Sequence, residues 1–156
     1  MTVFKAYDVR AVYPEPLCEE TARKIGLATG RLMLVESDGP TTVVVGHDMR
    51  LSSPALVKAL KDGLLEVGCD IIDVGLVDTP FIAFAVNHLN AIGGIQTTAS
   101  HNPAQYNGFK ICRAKAKPVG MGTGLEKIQA MAEDIDEPTI ATDRGSEKSM
   151  DLWDAY

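Results

Sequence analysis

The sequence predicts an α/β fold: a three-layer αβα domain around a mostly parallel, four-stranded mixed sheet whose last strand is antiparallel. Three observations predict it. Segments with helical apolar spacing alternate with short apolar runs in the order α, β, α, β, α, β, the pattern of a parallel sheet covered on both faces. The runs themselves, such as Thr41 to Val45, are β-branched and apolar without alternation, as in strands buried on both sides. A fourth run, Gly108 to Cys112, follows the third too closely for a helical crossover, so it pairs antiparallel.

Residues 1–16 read as a loop closed by Pro14 and Pro16. From Leu17 the pattern is helical. Glu19 and Glu20 occupy the first turn, where the helix dipole favours anions, and Ile25, Ala28, Leu32 and Val35 share a face. Ser37-Asp38-Gly39-Pro40 ends that helix. The first strand is followed by a loop, Gly46 to Arg50. Ser53 and Pro54 then make an N-cap and N1 pair. Leu56, Val57, Leu60 and Leu64 form the apolar stripe of the next helix, with Gly68 as its C′ residue. Cys69 to Val74 is the second strand. Thr79-Pro80 opens a short helix to about His88, which Asn90 can stop, and Ala91 to Thr97 is the third strand. Thr98 to Asn107 is a loop. Thr123 and Glu126 have capping-box spacing ahead of a helix carrying Leu125, Ile128, Met131 and Ile135. Residues 136–149 are polar and loop-like, so the domain is expected to span 1–135, with 136–156 as a linker and the start of a second domain.

The bulk properties exclude several classes. A chain of 156 residues fits one domain and can bury a core without disulfides or a structural metal. Its formal charge of −6 argues against a broad nucleic-acid surface, while leaving room for a local basic pocket. The opening MTVFKAYDVR has no apolar h-region, and no run is long enough to span a bilayer. No membrane partner is expected, and a cytoplasmic location fits. Cys18, Cys69 and Cys112 are odd in number and widely spaced without a CxxC pair, so neither zinc nor a redox dithiol is suggested.

The strongest chemical signal is Thr97-Thr98-Ala99-Ser100-His101-Asn102-Pro103, continuing to Tyr106-Asn107-Gly108-Phe109-Lys110. It lies past the carboxyl end of a strand, where open α/β sheets bind ligands. A serine there can carry a phosphoryl group as an ester, and His101, Asn102 and Lys110 suit a reaction governed by positioning and charge neutralisation. The plainer reading is a turn, since Ser, Asn and Pro all favour turns. A hydrolase triad is weaker still, because no G-x-S-x-G elbow surrounds Ser100 and neighbouring side chains in an extended loop point apart. Lys110 could equally be a solvated lysine on an edge strand, and Arg10 could be a surface partner of Asp8.

The run TTASHNPAQYNGFK resembles the active-site loop of the α-D-phosphohexomutase superfamily, and its Tyr-Asn-Gly-x-Lys ending resembles the phosphomannomutase/phosphoglucomutase branch. FKAYDVR at 4–10 and VVVGHDMRLSSPAL at 43–56 are similar to that branch's N-terminal loop and first strand-loop-helix.

The resemblance implies an N-terminal domain that carries a phosphoserine at Ser100, whose phosphate is one ligand of Mg²⁺. It implies phosphoryl exchange with small phosphorylated hexoses, mannose or glucose, with glucose 1,6-bisphosphate or an equivalent as activator. His101 would stand beside the sugar, and Lys110 would act as general acid/base near the serine. Tyr7 and Arg10 would line the cleft, and Asn102 would help bind substrate. The family loop usually has glycine where Ala11 stands and arginine where His47 stands; Asp48 and Arg50 would brace the active-site loop. An alanine at 11 would be strained if that position needs positive φ. The resemblance also implies three further domains, one with the metal aspartates and one with a phosphate clamp. The chain would then be a truncated chain, a proteolytic fragment or a detached first domain, inactive alone and able to form non-native dimers. A phosphoglucosamine mutase domain and a non-catalytic phosphosugar-binding module are the alternatives.

Overall fold

Two crossovers of opposite direction set the architecture of the computed structural model, which describes residues 2–135 and 142–156. β2 (Thr42–His47) leads through α2 (Ser53–Glu66) to β3 (Asp70–Leu76), its parallel neighbour on one side. β3 leads through α3 (Thr79–His88) to β4 (Gly93–Thr97), which pairs with β2 on the other side. Parallel crossovers are right-handed. Reversing direction therefore sends α2 and α3 to opposite faces, which produces the three layers.

α1 (Glu19–Val35) and α4 (Leu125–Glu133) join α2 over one face. The burial of β2 explains its sequence: Val43 and Val45 enter the core under α1 and α2, whereas Val44 enters the smaller core under α3. Both faces are apolar, so no alternation arises. α1 and α2 cross at close range through small residues. A Cβ on Gly26 would lie 2.2 Å from the Leu60 carbonyl oxygen, and one on Gly63 would lie 2.2 Å from that of Arg23.

The fold class is as the sequence predicts, but among the described residues the sheet has seven strands rather than four. Its order is β1-β5-β4-β2-β3-β7, with β6 on β5. β5 (Tyr106–Arg113) is antiparallel to β4, as expected, and antiparallel also to β1 (Val9–Val12). Lys110 thus lies on an interior strand and not at an edge. β6 (Lys117–Pro118) and β7 (Glu147–Ser149) complete the sheet, β7 running parallel to β3. The three extra strands have four, two and three residues, too few to show a periodicity. β7 is held by polar contacts: Lys61 Nζ lies 2.5 Å from Asp73 and 2.6 Å from Glu147, and Ser146 donates its N–H and hydroxyl to Asp70. Beyond it, Trp153 and Tyr156 pack on Phe81 of α3, ring centroids 4.7 and 4.8 Å away. The expected loop at 136–149 lies outside the described residues at 136–141 and contains β7 thereafter.

Helix ends follow the sequence closely. Asp78 caps α3 by accepting from the Phe81 N–H, and Asn90 (φ 51) and Gly68 (φ 92) take the left-handed terminator positions. Two caps differ. Ser52, not Ser53, precedes α2, because the Ser53 hydroxyl is drawn to Asp48. Gly124 precedes α4, where Glu126 accepts from the Gly122 and Gly124 N–H groups while Thr123 Oγ1 accepts from Gly120. Ala11 lies in β1, buried and paired with Asn107; it is not among the positive-φ residues, so the absent glycine costs nothing there.

Candidate active site

The chain leaves β2 toward β3 and leaves β4 toward β5, in opposite directions. The crevice beyond these two carboxyl ends is the switch point, where open α/β sheets bind ligands. Two loops meet there: 48–52 after β2 and 98–105 after β4.

Arg50 ties them together. All five of its N–H donors have acceptors. Nε reaches Asp48 at 3.2 Å, Nη1 reaches the carbonyls of Pro103 and Tyr106 at 2.8 and 2.9 Å, and Nη2 reaches those of Ser100 and Asn102 at 2.9 and 2.7 Å. A planar fork suits this arrangement better than an ammonium. Asp48 is itself fixed, accepting from the hydroxyls of Ser53 and Thr98, each at 2.7 Å. Asn107 donates to the hydroxyls of Ser52 and Ser53 at 2.8 and 3.0 Å. The bracing expected of Asp48 and Arg50 is therefore extensive. His47 stays outside it, its Nδ1 2.9 Å from the Asp48 carbonyl.

On this frame Ser100 is exposed at the loop tip, with φ at 55°. Its Oγ lies 3.4 Å from His101 Nδ1. The two side chains were expected to point apart; the left-handed residue breaks the alternation of an extended strand and turns them to the same side. Ser100 lines a cleft of about 400 Å³ together with Asp48, Thr79, Gln96, Thr98 and Trp153. An adjoining cleft of about 310 Å³, which shares Thr79 and Gln96, contains Tyr7 and Lys110.

Arg10 is anchored rather than free. It pairs with Asp8 and donates from Nη1 to Asn102 Oδ1 at 2.6 Å. Asp8 also accepts from Lys110 Nζ at 3.3 Å. One buried carboxylate thus gathers two cations, and Arg10 connects them to the serine loop. Of the residues singled out in the sequence, Arg10, Asn102 and Lys110 fall in this bonded group, Ser100 and His101 form the exposed tip, and Tyr7 projects into solvent at 84% exposure. Asp8, weighed in the sequence as a surface partner of Arg10, does pair with it but is buried and holds Lys110 as well. Thr98 and Asn107 are polar residues that the sequence left without a role. Their one signal is polarity at or beside strands that are otherwise apolar.

Cys112 lines the cleft beside Lys110, but burial pushes its thiol up to about 11, so it is no nucleophile at neutral pH. His88 stacks on Phe84, ring centroids 5.1 Å apart, and has no part in the site.

The profile of the phosphoglucomutase/phosphomannomutase alpha/beta/alpha domain I matches residues 1–139. The chain belongs to that family. It is 43% identical over 156 residues to a phosphomannomutase of Vibrio cholerae and 44% identical over 157 to one of Escherichia coli K12. It is covered fully in both cases and spans about a third of the length of these curated relatives. Against a phosphomannomutase sequence of Klebsiella pneumoniae, 43% identical, it spans 97%. A solved phosphoglucomutase/phosphomannomutase family protein from Burkholderia thailandensis superposes with a TM-score of 0.87 at 37% identity, over 99% of this chain and 34% of that one. A phosphomannomutase structure from Thermus thermophilus gives 0.80 at 34% identity, over 98% and 34%. Among the described residues no helix is long and apolar enough to cross a membrane.

Proposed function

We propose that this chain is the phosphoserine-bearing first domain of a phosphohexose mutase, one that interconverts hexose 1- and 6-phosphates of mannose, glucose or both through a bisphosphorylated sugar. The observation that carries this reading is Ser100. It presents an exposed hydroxyl at the switch point, on a loop fixed by Arg50 and bonded to a group containing two cations.

The chemistry follows from those groups. With Ser100 phosphorylated and a hexose 1-phosphate in the cleft, the sugar's 6-hydroxyl oxygen bonds to phosphorus as the bond to Oγ breaks. His101 takes the hydroxyl proton, and the Lys110 ammonium protonates Oγ. The bisphosphate turns over. Oγ then attacks the phosphorus on O1, its proton returns to Lys110, and O1 takes the proton held by His101. Arg10 offers a permanent charge to the transferring group, and Tyr7 and Asn102 contact the sugar.

No group of three His, Cys, Asp or Glu that could hold a metal occurs among the described residues. This chain therefore fits Mg²⁺ as a single-ligand donor, through a hard oxygen of the Ser100 phosphate. When bound, the ion neutralises charge on the phosphoryl group. Its carboxylates and the clamp for the second phosphate belong to later domains, consistent with relatives about three times as long. Met49, Leu51, Leu76 and Trp153 are exposed apolar side chains on this side. Those domains would close over them, and the isolated chain would self-associate through them. Glucose 1,6-bisphosphate would restore a serine that has lost its phosphate.

Turnover of mannose and glucose 1-phosphates by the complete protein tests the reading. Wild type is expected to convert at least one, and Ser100→Ala to convert neither. Full activity in Ser100→Ala would refute the phosphoserine.

A further inference from the structure

We infer that Thr98, acting with Asp48 and Arg50, is a positioning residue that holds Ser100 in the left-handed backbone conformation from which its hydroxyl reacts; this rests on the mutase reading above. Ser100 has φ at 55°, a region that residues with a Cβ rarely adopt outside Asn and Asp. Such a conformation persists only where the surroundings over-determine it. Here both polar groups of the Ser100 backbone are taken. Its N–H donates to Thr98 Oγ1 at 2.9 Å, and its carbonyl accepts from Arg50 Nη2 at 2.9 Å.

The direction of the hydrogen-bond chain is fixed. Asp48 can only accept, so the Thr98 hydroxyl gives its one proton to Asp48 Oδ2 at 2.7 Å. Its oxygen then serves as acceptor to the Ser100 N–H through one of its two lone pairs. Thr98 is 6% exposed, and its own N–H donates to the Gly108 carbonyl at 2.9 Å, so the hydroxyl is built on the sheet and not on a mobile loop. The same carboxylate that orients Thr98 also orients Arg50. One aspartate thereby sets both of the contacts that pin Ser100. With its N–H and carbonyl turned toward this network, the serine side chain is left at the exposed tip, 3.4 Å from His101. Phosphoryl transfer is largely a matter of such positioning.

Thr98→Val removes the hydroxyl at nearly constant shape, and Thr98→Ser keeps it. Both are made in the complete protein and compared by steady-state kinetics and amide hydrogen exchange. Thr98→Val is expected to lower kcat about tenfold, equivalent to ~1.4 kcal/mol. KM should stay within about twofold, the mark of an interaction used in the transition state. Exchange at the Ser100 amide should quicken at least about tenfold, with protection in α1 and β4 unchanged. Thr98→Ser should restore both readouts. A merely structural threonine would loosen the sheet without splitting kcat from KM. Wild-type kcat and Ser100 exchange in Thr98→Val would overturn the inference, as would a Thr98→Ser variant as impaired as Thr98→Val. Should Thr98→Val loosen the whole sheet, Arg50→Lys decides: a lower kcat with faster exchange confined to the loop supports the inference, and wild-type values end it. A wild-type protein without turnover sinks the mutase reading instead, and the Ser100 exchange comparison still decides whether Thr98 holds the conformation.

Discussion

Replacing Asp8 with asparagine tests the charge arrangement most sharply. The carboxylate is buried and pairs with Arg10 and Lys110 at once. Asparagine keeps the shape and one acceptor but leaves two neighbouring cations without a counter-charge. Stripping one partner from a fully buried pair typically costs ~3–5 kcal/mol. Here Arg10 and Lys110 retain 20% and 33% side-chain exposure, so water relieves much of that. A loss of about 1–2 kcal/mol in unfolding free energy follows, read as a lower urea midpoint at constant slope in the 156-residue chain. Activity should suffer more than stability. Arg10 is joined to the serine loop through Asn102, and misplacing a reacting group by about 1 Å can cost ~100-fold. The complete Asp8→Asn protein is therefore expected to lose about 10- to 100-fold in kcat/KM, or ~1.4–2.7 kcal/mol of transition-state stabilisation. A wild-type urea midpoint together with wild-type kcat/KM would refute the reasoning, because Asp8 would then be holding nothing that matters.

Further outcomes are expected elsewhere. Gly63→Ala should destabilise the chain in thermal or urea unfolding. The helix-propensity gain of ~1 kcal/mol is outweighed by a Cβ placed 2.2 Å from the Arg23 carbonyl oxygen and 2.8 Å from the Leu27 nitrogen; a stabilised variant would contradict the close crossing of α1 and α2. Hydrogen bonds from the Ser146 hydroxyl and N–H and from Thr41 lower the Asp70 carboxyl pKa. A depressed folded-state value stabilises above the unfolded pKa of about 4 and is lost as pH falls through the folded one. The urea midpoints of wild type and Asp70→Asn should therefore differ near neutrality and converge in acid; a gap that persists at the lowest pH would assign it to packing. Burial pushes the Cys69 thiol up to about 12, so a thiol reagent should modify it only as fast as the chain unfolds; rapid labelling of the folded chain would contradict its burial. Hexose phosphate turnover by the isolated chain should be negligible, since its described residues offer no metal carboxylate cluster; robust turnover would overturn the division of labour among domains.

The central strands and helices were legible because burial on two faces writes itself into composition. Val43, Val44 and Val45 are apolar in succession because two cores flank β2. β1, β6 and β7 were not legible. Each is too short for a pattern, and Glu147-Lys148-Ser149 is polar and exposed, recruited by backbone pairing and the Lys61 bridge. The candidate serine, Ser100, was legible through its motif and its place beyond a strand end. Its support was not. The Arg10–Asn102 and Lys110–Asp8 contacts join residues 92 and 102 positions apart, and nothing local marks a polar residue as a member of such a pair. The positive φ of Ser100 was equally hidden, because a serine has no preference of its own for that region and the backbone bonds to Thr98 and Arg50 come from the folded geometry.

A phosphoryl group carried by Ser100 is the proposal on which every other role in the cleft depends. The most direct measurement is mass spectrometry of the Ser100 peptide, taken from the complete protein after incubation with glucose 1,6-bisphosphate labelled with heavy oxygen in its phosphates. A labelled phosphate on Ser100, and on no other residue of the 98–105 loop, is the predicted result. An unmodified Ser100 in a protein that turns over hexose phosphate at full rate would contradict it.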